Sequence, residues 1–278
     1  MKIQVLVENT SCDKAYHCVH GLSLYIETQK HKILFDLGPG KQLFHNAAKM
    51  NIDLTEVDIV VISHGHNDHG GALKSFLALN KKAILYIRAS AFEPYYYKVL
   101  GFKSYIGLDT SLKGNHRFVF TKDNEIIDEE LQLFSYGSKT DHSFAASDSL
   151  LIKTNREYYP DTFQHEQNLL IREKDAYTLL SGCAHSGITG IIEKAEQLIG
   201  KAPNTVIGGF HLYHLSVRKE ENANYLVQLA RKLNSKNTTY YTCHCTGLKQ
   251  YAILHREMRD HMNYLSTGSV LNTDSCIK

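Results

Sequence analysis

Ile59-Val60-Val61-Ile62-Ser63-His64-Gly65-His66-Asn67-Asp68-His69-Gly70-Gly71-Ala72-Leu73 decides the reading of this chain. Four consecutive β-branched apolar residues read as a buried strand. Ser63 ends the run, and three histidines and an aspartate follow within six residues. Leu73, Phe76 and Leu77 then have the spacing of a helix face. Imidazoles and a carboxylate are thus gathered in a turn at the edge of a sheet. Neutral imidazole and carboxylate suit zinc, iron and manganese. In an extended turn His64 and His66 can point to one side, while Asp68 and His69, beyond the bend, can point to a second position. That pattern fits two adjacent metal sites better than one. A polar loop with chance histidines is the plain alternative, and the ligand density weighs against it.

Working outward, further short motifs punctuate the chain: Val19-His20-Gly21-Leu22-Ser23, Leu34-Phe35-Asp36-Leu37-Gly38, Ser181-Gly182-Cys183-Ala184-His185-Ser186-Gly187-Ile188, Gly208-Gly209-Phe210-His211-Leu212 and Cys243-His244-Cys245-Thr246-Gly247. Taken in order with His64-x-His66-x-Asp68-His69, they resemble the metallo-β-lactamase superfamily. More narrowly, they resemble its branch of metal-dependent hydrolases that includes archaeal dihydropterin-type phosphate synthases. The resemblance implies an α/β fold, the αββα four-layer sandwich, with residues 1–278 as one domain.

Composition agrees with a soluble globular protein. Of 278 residues, 43% are hydrophobic and 22% charged, with a net charge of +2. That balance gives no case for nucleic acid or a membrane surface as a partner, and no apolar run approaches a membrane span. The six cysteines lack the spacing of a small secreted scaffold, so they read as reduced thiols of a cytoplasmic protein.

The N-terminal part alternates as paired strands around Ile3, Leu24 and Ile33-Leu34-Phe35, and a short helix is expected over 42–50. Cys12, His17, Cys18 and His20 fall in one loop; their spacing is loose for a separate zinc site. Asp36 reads as a turn aspartate, or, by the resemblance, as a carboxylate behind the metal loop that accepts a hydrogen bond from a ligand imidazole. From 89 to 167 the strand–helix rhythm is lost, and this segment is expected to determine the substrate. Tyr95-Tyr96-Tyr97 within it could be a packed surface, a homodimer contact or a platform for an aromatic substrate. His142, His165 and Glu166 also lie there; His165-Glu166 precedes a strand and could face the site, with no ligand role expected.

The second half repeats the logic of strand, ligand and helix. Tyr177–Ser181 reads as a strand, and Ile188, Ile191, Ile192, Ala195 and Leu198 form one helical stripe. His185 stands between them, as His64 does, and by resemblance completes a first site of three imidazoles. His244, after the strand 238–242, matches the superfamily's last histidine and by resemblance joins Asp68 and His69 at a second site. His211 follows another strand, where many members carry a bridging aspartate or cysteine. It is either a ligand or a base or phosphate-binding group. His214 is a weaker candidate. If Cys243, His244 and Cys245 continue the strand, alternation turns the cysteines away from the histidine. A last helix is expected from Leu248 to about His261.

The function that follows is metal-dependent hydrolysis, with two divalent ions, zinc first and iron or manganese as alternatives. Their ligands are His64, His66, Asp68, His69, His185, His211 and His244. Asp68 and His211 are the catalytic candidates, with His20 placed to contact substrate. The resemblance points to a small phosphorylated or ester substrate, pterin-like or nucleotide-like. The rival readings are a non-catalytic metal sensor and a di-iron redox protein on the same fold.

Overall fold

Runs of Val, Ile, Leu and Phe build the sheets, and in the computed structural model they fall into two units, Met1–Lys122 with Ala146–Gln167 and Ser266–Lys278, and Asp123–Ala145 with Asn168–Leu265. The structure describes residues 1–137 and 149–273. His142 lies outside the described residues.

The first unit carries a seven-stranded sheet of β1 (Lys2–Val7), β2 (Ser23–Glu27), β3 (Lys32–Phe35), β4 (Ile59–Val61), β5 (Ile84–Ile87), β8 (Phe118–Phe120) and β18 (Val270–Asn272). Its order is β18-β1-β2-β3-β4-β5-β8. The pairs from β18 to β3 are antiparallel, whereas β3, β4, β5 and β8 run parallel. Leu34, Val60, Ile62, Leu85 and Ile87 pack with Leu43 and Ala47 of α1 (Gln42–Lys49) and with Leu73 and Phe76 of α3 (Leu73–Leu79). Leu24, Ile26, Phe35 and Val61 are equally buried, as expected for strands with near-continuous apolar sequence. Between β4 and α3 the ligand turn forms a one-turn helix, α2 (Asn67–Gly70), so Asp68 and His69 are helical and not in a loop.

A second, four-stranded antiparallel sheet of this unit has the order β12-β11-β6-β7, from β6 (Tyr95–Val99), β7 (Phe102–Tyr105), β11 (Leu150–Thr154) and β12 (Glu157–Pro160). The β6–β7 hairpin is apolar and open at its tip, with Leu100 93% and Phe102 78% exposed. Tyr95 is not a surface platform. It is buried, its hydroxyl donates to the Ser90 carbonyl at 2.7 Å, and its ring lies 4.1 Å from that of His165.

The second unit mirrors the first in topology. Its sheet, ordered β17-β16-β15-β14-β13-β10-β9, is built from β9 (Asn124–Ile126), β10 (Leu131–Phe134), β13 (Asn168–Glu173), β14 (Ala176–Ser181), β15 (Thr205–Gly208), β16 (Thr239–Thr242) and β17 (Met262–Tyr264). Here β14 to β17 are parallel and the remaining pairs antiparallel. The predicted stripe of α4 (Ile188–Ile199) is buried through Ile188, Ile191, Ile192 and Ala195, and the helix stops at Gly200 in the left-handed region (φ 75°). It shares a core with Leu226, Leu229 and Leu233 of α5 (Glu220–Asn234) and Leu254 and Met258 of α6 (Leu248–Met258). The last helix is shorter than expected; a 3-10 turn, Arg259–His261, follows it. Segment 89–167 is not one piece either: β8 joins the first large sheet, and β9 and β10 join the second.

Candidate metal centre

In the first unit the histidines converge. The ring centroids of His64 and His66 are 4.6 Å apart and those of His64 and His69 are 4.1 Å apart. All three histidines are buried. Asp68 Oδ2 lies 3.6 Å from His69 Nε2. The rings are held from behind by Asp36, which sits in the left-handed region (φ 61°). Its carboxylate accepts from Ser63 N (2.7 Å), Ser63 Oγ (2.7 Å) and His69 Nδ1 (2.7 Å). Ser63 has one hydroxyl proton and donates it to Asp36, so at 2.9 Å it accepts from His64 Nδ1. Both imidazoles are thereby fixed as Nδ1–H tautomers, and Nε2 is left as the donor atom on each. Gly65 lets the turn pass against the Ala91 backbone, since a Cβ there would stand 2.4 Å from the Ala91 carbonyl oxygen. His20, the predicted substrate contact, is exposed and places Nε2 3.3 Å from Asp68 Oδ2.

Asp161 and Gln167, which gave no sequence signal, complete this cluster together with His165, which did. Asp161, at the end of β12, lies with Oδ2 3.7 Å from His66 Nε2 and 2.9 Å from His165 Nε2. Gly65 N–H donates to His165 Nδ1 at 2.8 Å. His165 is therefore a neutral Nε2–H tautomer that donates to Asp161, consistent with burial pushing its pKa down. Burial opposes charge on Asp161, but the His165 and His66 rings hold its carboxyl below the ordinary range. Gln167 braces the same turn: its amide nitrogen donates to the carbonyls of Ile62 (2.8 Å) and Tyr86 (3.1 Å).

In the second unit the candidates lie just past the carboxyl ends of β14, β15 and β16. The ring centroids of His185 and His211 are 4.2 Å apart, and those of His211 and His214 are 5.4 Å apart. His244 is buried and opens the 3-10 turn His244–Thr246. The expectation that Cys243, His244 and Cys245 alternate along a strand is thus corrected: β16 ends at Thr242, and His244 has φ 50°. Ala184 (φ 51°) and His211 (φ 49°) are likewise left-handed. Non-glycine residues are held in that region only where the surroundings enforce it, and such places cluster at functional sites.

A family model described as the metallo-beta-lactamase superfamily matches residues 18–193. The chain belongs to that superfamily. The 7,8-dihydropterin-6-methyl-4-(beta-D-ribofuranosyl)-aminobenzene-5'-phosphate synthase of Methanocaldococcus jannaschii is 26% identical to it over 295 residues, covering 98% of this chain and 96% of that one. An uncharacterized protein of the same organism is 28% identical over 256 residues, covering 89% and 91%. Among solved structures, Tm1679, a metal-dependent hydrolase of the beta-lactamase superfamily, matches with a TM-score of 0.81 at 28% identity over 98% of each chain. Zinc-bound PqqB from Methylobacterium extorquens shares the fold, with a TM-score of 0.57 at 11% identity over 98% of this chain and all of that one.

This metallo-β-lactamase superfamily chain has a donor set that fits divalent metal ions. Buried imidazoles with their tautomers fixed from behind and an adjacent carboxylate form a usual ligand set for such ions. The exposed N-terminal loop does not gather in the same way. His17 stacks on His45 at 3.7 Å, and the exposed Cys12 and Cys18 belong to no ligand cluster among the described residues.

Proposed function

We propose that the protein is a metal-dependent hydrolase of a small phosphorylated or ester substrate. Its ligands are His64, His66, Asp68 and His69 from the first unit and His185, His211 and His244 from the second. The observation that carries this reading is the Asp36–Ser63–His64 and Asp36–His69 hydrogen-bonded frame, which leaves Nε2 as the ligand atom of both rings and sets that of His69 3.6 Å from Asp68 Oδ2. These residues would hold divalent ions, zinc first and iron or manganese next, which would supply a water of lowered pKa and polarise the oxygen under attack. Asp68, on α2 and partly exposed, orients that water and takes up its proton. His20 at its side offers an imidazole to the substrate or to the leaving group. Asp161 and Asp36 keep the ligand rings from rotating away. The likeness to the Methanocaldococcus synthase supports a phosphorylated, pterin-like or nucleotide-like substrate.

A cytoplasmic setting agrees with the cysteines among the described residues, Cys12, Cys18, Cys183, Cys243 and Cys245, which are unbridged. Among the described residues no helix is long and apolar enough to cross a membrane.

The test is turnover of phosphomonoesters, phosphodiesters and carboxylic esters by zinc- and manganese-loaded protein. Hydrolysis of a phosphoester is expected, abolished by chelation and lowered about 10²-fold or more in Asp68→Asn. Turnover of another ester class alone would overturn the phosphoester assignment. Full metal content without turnover in any class would favour a metal sensor.

A further inference from the structure

Three adjacent parallel strands of the second unit, β14, β15 and β16, each end in a turn that contributes one soft or borderline donor. Cys183 follows β14, His211 follows β15 and Cys245 follows β16. Their Sγ and ring nitrogen atoms all lie within 4.8 Å of one another. Both thiols are buried, at 3% and 2% exposure. The carboxyl ends of neighbouring parallel strands are where α/β folds place their ligands.

The turns are tied together before any ligand arrives. Gly209 N–H donates to the Gly182 carbonyl at 2.9 Å, which joins the first turn to the second. Phe210 N–H donates to Thr246 Oγ1 at 2.8 Å, and Tyr213 N–H to the Cys245 carbonyl at 3.0 Å, which join the second to the third. The Cys245 thiol points back to the first turn, 3.6 Å from the Cys183 carbonyl. It fills the space over Gly209, where a Cβ would meet Sγ at 2.4 Å. Glycine is therefore required at 209 for the thiol to reach the other two donors.

We propose that Cys183, Cys245 and His211 form a thiolate-rich site for a thiophilic metal ion, with zinc as the ion to be tested. Two sulfurs and an imidazole are a donor set for zinc or copper(I), and one that magnesium, calcium or manganese does not favour. A tetrahedral ion held by these three keeps one position for water or a substrate atom. The site rests on His211 as a ligand, as in the hydrolase reading, but it does not require hydrolysis.

Cobalt(II) is the probe, added without substrate to metal-free protein under nitrogen with a phosphine reductant. The expected result is a sulfur-to-cobalt charge-transfer band in the near ultraviolet for wild type. The band is lost in Cys183→Ser and in Cys245→Ser and kept in Cys243→Ser, whose thiol is outside the cluster. Zinc-loaded wild type is measured in parallel by X-ray absorption, so that poorly folding variants leave the test standing. A sulfur shell at about 2.3 Å supports the site, and a shell of nitrogen and oxygen alone at about 2.0–2.1 Å overturns it. Phosphoester turnover with no sulfur shell would reject this site and leave the hydrolase intact. A sulfur shell with no turnover of any ester would do the reverse.

Discussion

Asp36 accepts three hydrogen bonds in a buried, left-handed position, so its charge and shape are both committed. Asp36→Asn replaces one acceptor oxygen with a donor and forces Ser63 or His69 to turn. Zinc affinity is expected to fall about 10- to 100-fold, measured by competition with a chromophoric chelator. Asp161→Ala leaves the His165 Nε2–H and the Phe163 N–H without their acceptor. It should cost about 1–3 kcal/mol for each unsatisfied group in urea unfolding, and Asp161→Asn should recover part of the loss. The two aspartates differ in legibility. Asp36 was readable because a recognisable motif surrounds it. Asp161 was not, because His66 meets it only through tertiary closure, its contact with His165 is local, and its neighbours Pro160, Thr162 and Phe163 carry no periodic signal.

At the scale of elements, the ligand turn between β4 and α3 depends on how closely its backbone approaches Ala91. Gly65→Ala introduces a Cβ between two backbones, neither of which can swing aside. The variant is expected to lose about 1–3 kcal/mol and most of its metal affinity, as read from urea midpoints and elemental analysis. The strands β1 to β5 and β13 to β16 and the stripe of α4 were legible because burial on one or both faces writes continuous or periodic apolar runs. By contrast β7, β9 and β12 are short and largely exposed, so no such run is imposed on them. The turn at Cys243–Thr246 was not legible because a local pattern of alternating residues says nothing about where hydrogen bonding to the neighbouring strand stops.

For the molecule as a whole, each unit owns a core, and the ligand residues stand at the edges of those cores. Ile191→Ala, in the middle of the second core, should destabilise the protein by about 2–5 kcal/mol without altering the identity of any ligand. Metal linkage acts in the opposite direction. Zinc at 100 times its dissociation constant should stabilise the folded protein by about 2.7 kcal/mol per site, and chelation should remove that gain in a thermal scan. The superfamily and its α/β fold were readable from six short motifs spread along the chain. Cys183 and Cys245 were visible as residues, but their approach to His211 needed three strand ends to be laid side by side.

At strand ends of the small sheet of the first unit, Asp161 and Ile106, whose carbonyl accepts from Asn67 N–H at 2.7 Å, are tied to the ligand turn, while the β6–β7 tip faces solvent, and that sets the direction in which descendants of this sequence can diverge. At the β12 end, Asp161 is hydrogen-bonded to His165 and lies 3.7 Å from His66, so drift there is expected to disturb the ligand turn. At the β6–β7 tip, Leu100 and Phe102 are exposed to solvent. Among the described residues, none of the hydrogen bonds of Asp36, Ser63, His64 and His69 given above involves Leu100 or Phe102. Sequence change is therefore expected to be tolerated at the tip and selected against at Asp161.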